Sequence, residues 1–127
     1  MRRSTMLSTL ALVAMTAPTF TLASGRIDKG QAIFQQRCGI CHSVVVAGGP
    51  VLGPTLRGIL GRKAGAVPEF KMYSTALAGS NLTWDVKTLD AFLAAPMSKV
   101  PGTTMPMPLP DVAERADVIA YLATLKN

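Results

Sequence analysis

Apolar residues recur at helical spacing in three stretches of this 127-residue chain, and between them the spacing lapses. The clearest stretch is the last. Val118, Tyr121, Leu122 and Leu125 follow an i, i+3, i+4, i+7 stripe, which predicts an amphipathic helix. Asp111 and Glu114 supply its capping box. Val86, Leu89, Phe92 and Leu93 share the face of a second helix, with Thr83 as its expected N-cap, Asp85 in its first turn and Pro96 as its stop. A third helix is predicted to open at a D-x-x-Q box, Asp28 to Gln31, and to run through Ile33 and Phe34 to Cys38. Phe34 and Cys38 are four apart and share a face. Gly30 inside this helix costs up to ~1 kcal/mol relative to alanine, which is tolerable where another helix must approach closely. Tyr73 to Gly79 reads as a short helix closed by glycine.

The intervening segments have a different character. From Ser43 to Gly65 periodicity is weak and glycine frequent; Val44 to Val46 could pair as a short strand, but the surrounding Gly and Pro favour an irregular loop. Such backbone suits wrapping around a flat ligand, since glycine permits close approach. Between Pro96 and Pro110 five prolines predict an extended, stiff segment. The expected fold class is all-α, small and rich in loops.

The N-terminus reads as an export signal over residues 1–23: Arg2 and Arg3, an apolar run from Met6 to Ala17, then Thr21-Leu22-Ala23 as a small-residue cleavage site. Ser8, Thr9, Thr16 and Pro18 make the run a poor membrane span, so no permanent membrane anchor is expected. Cleavage would leave one domain of 104 residues, 24–127. Losing Arg2 and Arg3 lowers the formal charge of +6 by two, to +4. The remaining charges are scattered, which argues against a nucleic-acid partner.

Against that background one pentapeptide carries the chemistry. Cys38-Gly39-Ile40-Cys41-His42 holds both cysteines and the one histidine of the chain. Two thiols three residues apart, followed at once by an imidazole, match covalent attachment of a haem with the histidine on its iron. The spacing fits one helical turn, with both sulfurs on one side of the macrocycle. A closed zinc site needs four ligands where Cys and His together offer three. A redox dithiol would be expected beside alternating strands and helices, and a disulfide closing so short a loop would add little stability. The second axial position is open to Met72, Met97, Met105 or Met107, to a lysine, to water or to nothing. Met105 and Met107 lie in the proline-stiffened stretch, where a soft thioether would be held out from rigid backbone, although methionine is also an ordinary core filler.

In its blocks GQAIFQQRCGICH, GPTLRGILGRKAG, YSTA, LTW, PGTTM and ADVIAYL, the chain resembles the class I c-type cytochromes. The resemblance implies a small cytochrome c fold of three to five helices, with long loops wrapped around one covalent haem c joined through Cys38 and Cys41. It implies that Pro54 offers its carbonyl to His42, and that Met105, ending the P-G-T-x-M pattern, is the sixth ligand, with Met107 the alternative. Arg62, Tyr73 and Trp84 would bond the haem propionates, though alone each also reads as an ordinary surface charge or core aromatic. Gly30 and Phe34 would pack against Val118 and Tyr121.

The function so implied is a one-electron carrier in the periplasm and not an enzyme. Its partners would be redox proteins, with a dehydrogenase or reductase as donor and an oxidase or another cytochrome as acceptor. The alternatives are a dedicated subunit of a periplasmic dehydrogenase complex, a five-coordinate haem enzyme, and a haem-free thiol oxidoreductase. Three departures from the family pattern stand out. Phe92 replaces a tyrosine whose hydroxyl reaches the methionine sulfur, Leu77 replaces a pocket asparagine, and most of the lysines that ring the haem edge are missing. Arg37 and Lys99 are the nearest cations left, and Met97, Val100, Pro101, Met107 and Leu109 are expected to form an apolar rim instead.

Overall fold

A computed structural model describes residues 20–45 and 52–126. Five α-helices follow in order: α1 (Phe20–Ile33), α2 (Thr75–Ala78), α3 (Val86–Ala94), α4 (Pro96–Lys99) and α5 (Val112–Thr124). Among the described residues there is no strand beyond an isolated antiparallel bridge between Lys63 and Thr83. The export segment lies outside the described residues as far as residue 19, and so do Val46, Gly48 and Gly49 of the glycine loop.

Helix α1 does not open at Asp28. Its backbone is already helical from Phe20, so the D-x-x-Q pair sits inside the helix. At its far end α1 widens into a π-helical stretch, Phe34–Cys38, in which the Gly39 amide donates to the Phe34 carbonyl at 2.7 Å. Such wide turns occur mostly where a helix meets a functional site.

The frame of the molecule is the crossing of α1 with α5. A Cβ added at Gly30 would lie 2.8 Å from the Tyr121 Cβ and closer still to the Asp117 carbonyl. Only hydrogen fits there, as the close approach expected of Gly30 requires. Phe34 stacks tilted on Tyr121 at 5.8 Å, and Val118 is buried beside them. Helix α3 packs its Leu89, Phe92 and Leu93 face on α5. Its N-cap is Asp85 rather than Thr83, because the Asp85 carboxylate accepts from the Thr88 amide at 2.6 Å. Helix α5 begins as expected, Asp111 accepting from the Glu114 amide at 2.8 Å.

The proline-rich segment divides in two. Pro96 ends α3 but serves as the first residue of α4, where its missing N–H costs nothing. Val100 to Thr103 then forms a tight turn, with Pro101 followed by Gly102 at φ +92° and the Thr103 amide donating to the Val100 carbonyl at 3.0 Å. Only the part after this turn is extended. No helix among the described residues is long and apolar enough to cross a membrane.

Candidate functional site

The Cys38–His42 pentapeptide continues the end of α1 as a single turn. The Cys41 and His42 amides both donate to the Cys38 carbonyl, at 3.0 and 2.9 Å. This turn brings Cys38, Cys41 and His42 to one wall of a cavity of about 290 Å³. The cavity walls come from both loops and from α3 and α5, and include Ile59, Leu77, Leu89, Phe92, Val118 and Leu122.

The loop after the motif is clipped back onto it. The Gly53 amide donates to the Cys41 carbonyl at 2.8 Å and the Leu56 amide to the Ser43 carbonyl at 2.9 Å. Pro54 is thereby set against the histidine, its carbonyl 2.7 Å from His42 Nδ1. A carbonyl only accepts, so Nδ1 carries the proton and Nε2 keeps its lone pair. Burial holds the His42 pKa below its usual value, partly offset by the Pro54 bond. A neutral ring with one free nitrogen is what a metal requires of it. Gly53 itself was missed as a site residue. Its position is occupied on one side by the imidazole, and a Cβ there would lie 2.6 Å from Nδ1.

Burial pushes the Cys38 thiol up to about 11, the nearby Arg37 charge opposing and the second thiol reinforcing the rise. A thiol held so firmly protonated is a poor nucleophile, which weighs against a thiol oxidoreductase.

Met105 also lines the cavity, half-buried against the core, with its amide donating to the Thr103 hydroxyl at 3.3 Å. The other methionines among the described residues are exposed: Met72 by 63%, Met97 by 53% and Met107 by 62%. Met72 and Met107 border the same cavity and Met97 does not.

Arg62, Tyr73 and Trp84 also meet at this cavity. Two backbone bonds hold Arg62 and Trp84 side by side: Trp84 N–H to the Arg62 carbonyl at 2.9 Å, and Gly61 N–H to the Trp84 carbonyl at 2.8 Å. The Arg62 guanidinium donates to the carbonyls of Thr55 at 2.6 Å and Arg57 at 2.9 Å, and among the described residues it has no carboxylate partner. Burial lowers its pKa, Tyr73 acting against that. An anion in the cavity would offset this cost through the donors still free. The Tyr73 hydroxyl accepts from the Val67 amide at 3.3 Å, which leaves its proton to give. These groups fit a haem: a covalent anchor, a neutral imidazole, a thioether lining the same cavity and a cation for the propionates.

Phe92 and Leu77 line the cavity as apolar groups. The expected rim is corrected: Val100 and Leu109 are buried in the core, because the turn at Pro101–Gly102 and the return toward α3 fold them inward. Lys63, not Lys99, is the lysine that lines the cavity, and Arg37 lines it too.

Comparison with known proteins agrees with this geometry. A family profile described as cytochrome c matches residues 27–126. Cytochrome c2 of Rhodomicrobium vannielii is 47% identical over 103 residues, 80% of this chain and 81% of that one. Cytochrome c of Tetrahymena pyriformis is 40% identical over 109 residues, 85% of this chain and 96% of that one. Among solved structures, cytochrome cH from Methylobacterium extorquens superposes with a TM-score of 0.70 at 40% identity, covering 77% of this chain and 97% of that one.

Proposed function

The chain belongs to the cytochrome c family and carries covalent haem c; from that premise we propose that it is an exported, six-coordinate one-electron carrier with His42 and Met105 as axial ligands. The haem supplies an iron that accepts and releases a single electron. The protein supplies everything that makes this reversible. Cys38 and Cys41, the two cysteines of the chain, take the thioether bonds. His42 is kept neutral and oriented by Pro54 at 2.7 Å. Arg62, Tyr73 and Trp84 face the same cavity as the motif and would take the propionates. Met105 is the observation that carries the ligand assignment: of the described methionines it alone is half-buried, and it lies on the cavity wall. A thioether favours the reduced iron, and with both axial positions filled no site remains for a substrate.

Residues 1–23 support export to the periplasm, with the partners being other redox proteins of that compartment. The ligand assignment is tested by replacing each methionine in the haem-loaded protein. Met105→Ala is expected to abolish the absorption band between thioether sulfur and ferric iron and to open ferrous protein to carbon monoxide. Met107→Ala is expected to leave both unchanged. Retention of the band in Met105→Ala, or prompt carbon monoxide uptake by the unaltered protein, would overturn the reading.

A further inference from the structure

The segment that carries Met105 is poor in bonds of its own. Pro106, Pro108 and Pro110 have no N–H to give. Met107, between them, is exposed by 62%. Among the described residues, four hydrogen bonds hold residues 104–110. The Met105 amide donates to the Thr103 hydroxyl at 3.3 Å and the Leu109 amide to the Leu93 carbonyl at 2.7 Å. The other two come from one nitrogen of Arg115, which donates to the Leu109 carbonyl at 3.0 Å and the Pro110 carbonyl at 2.7 Å.

Arg115 is unusual in its own right. It is a charged residue exposed by only 7%, on α5, and its Nε donates to Asp90 of α3 at 2.7 Å. A buried guanidinium is costly unless every donor is well placed. Here the fork spans two helices and ends on the strap that passes over the cavity. Asp90 fixes the fork from the outside, its side chain being 44% exposed.

From this arrangement we infer that Arg115, held by Asp90, is a positioning residue that clamps the 104–110 strap and so keeps the Met105 sulfur on the iron. The inference rests on Met105 being the ligand. Arg115 touches neither the sulfur nor the haem; it acts by denying the strap the freedom to swing away. Without it the strap keeps Leu109 N–H to Leu93 as its one bond to α3, and Met105 sits four residues from that point.

The test uses the full haem-loaded protein with Arg115→Leu, Asp90→Asn and a control, Arg26→Leu, which breaks the pair of Arg26 on α1 with Asp117 on α5, the helix that carries Arg115. Carbon monoxide uptake by ferrous protein reports opening of the sulfur position. Trp84 fluorescence reports global unfolding, and amide exchange at Met105 and Leu109 reports the strap itself. Arg115→Leu loses all three bonds of a charged donor, two of them to the strap, so uptake should quicken roughly tenfold or more while Trp84 stays in its folded state. Asp90→Asn should lie between it and the parent, and Arg26→Leu should match the parent. Both strap amides should exchange faster in the first two variants only.

If Arg115→Leu does not fold, Asp90→Asn alone should still take up carbon monoxide faster than the parent. Parental uptake and exchange in the folded Arg115 and Asp90 variants would overturn the inference, as would equal acceleration in Arg26→Leu. A band that survives Met105→Ala would instead sink the ligand assignment on which it stands.

Discussion

Gly53 is the residue at which the site is least forgiving. Any β-carbon there would sit 2.6 Å from His42 Nδ1 and 3.0 Å from Nε2, well inside ordinary contact. Either the imidazole turns or the loop backs away, and both movements break the 2.7 Å bond to Pro54 that fixes the ring. Gly53→Ala is therefore expected to lose about 1–3 kcal/mol, the usual cost of overfilling a packed site, read as an earlier urea midpoint by Trp84 fluorescence. An unchanged midpoint would mean that the ring is not held as described. Residues differ in how plainly the sequence announces them, and the reason is distance along the chain. Cys38, Cys41 and His42 are legible because one turn of backbone makes their chemistry local. Gly53 reads as one glycine among many, because what constrains it is a ring that the fold brings back from the motif. Arg115 reads as a surface charge on a helix, because its acceptors are carbonyls, which leave no mark in the sequence. Pro54, Arg62, Tyr73 and Trp84 became visible only through resemblance, which also singled out Met105 from Met107, and all five line the cavity.

Among the elements, α1 and α5 make the strongest claim on stability. Their crossing depends on Gly30, whose missing side chain is the space that Asp117 and Tyr121 occupy. Helix propensity alone would reward a side chain at this position by as much as ~1 kcal/mol. Packing should outweigh it: Gly30→Val is expected to destabilise the protein by about 2–4 kcal/mol, or to prevent the helices from docking. Thermal unfolding measures this, and a rise in melting temperature would show propensity winning. The faces of α3 and α5 followed from their periodicity because burial acts on every third or fourth residue, save that Val86, expected on the α3 face, is exposed by 58% at the first turn. Their boundaries were less secure. Thr83 and Asp85 are both good caps, and the choice fell to Asp85, whose carboxylate reaches the Thr88 amide. The π-turn at Phe34–Cys38 has no periodic signature at all. In the proline-rich segment, composition predicted extended backbone correctly where donors are missing, after Thr103. It could not reveal that Pro96 starts a turn of helix as readily as it ends one.

At the scale of the whole molecule, helix α1 runs across the proposed export cleavage site: its backbone is helical from Phe20, ahead of the cleavage expected after Ala23. Cleavage there removes the first four residues of the helix. The contacts that dock the helix lie further on. Arg26 pairs with Asp117 at 2.9 Å, Gly30 meets α5, and Phe34 stacks on Tyr121. The released N-terminus at Ser24 would place a positive charge at the positive end of the helix dipole, which costs a few tenths of a kcal/mol when exposed to solvent. That is small against the packing of the rest of α1, so trimming should leave the domain intact. The protein recovered from the exported fraction is accordingly expected to have the mass of residues 24–127 plus one haem. Its thermal midpoint should lie within a few degrees of that of a haem-loaded chain retaining residues 20–23. A haem-loaded protein still beginning near Met1 would refute cleavage. A trimmed protein that melted far lower would mean that the first turn of α1 holds the fold, and that the helix crossing at Gly30 does not suffice.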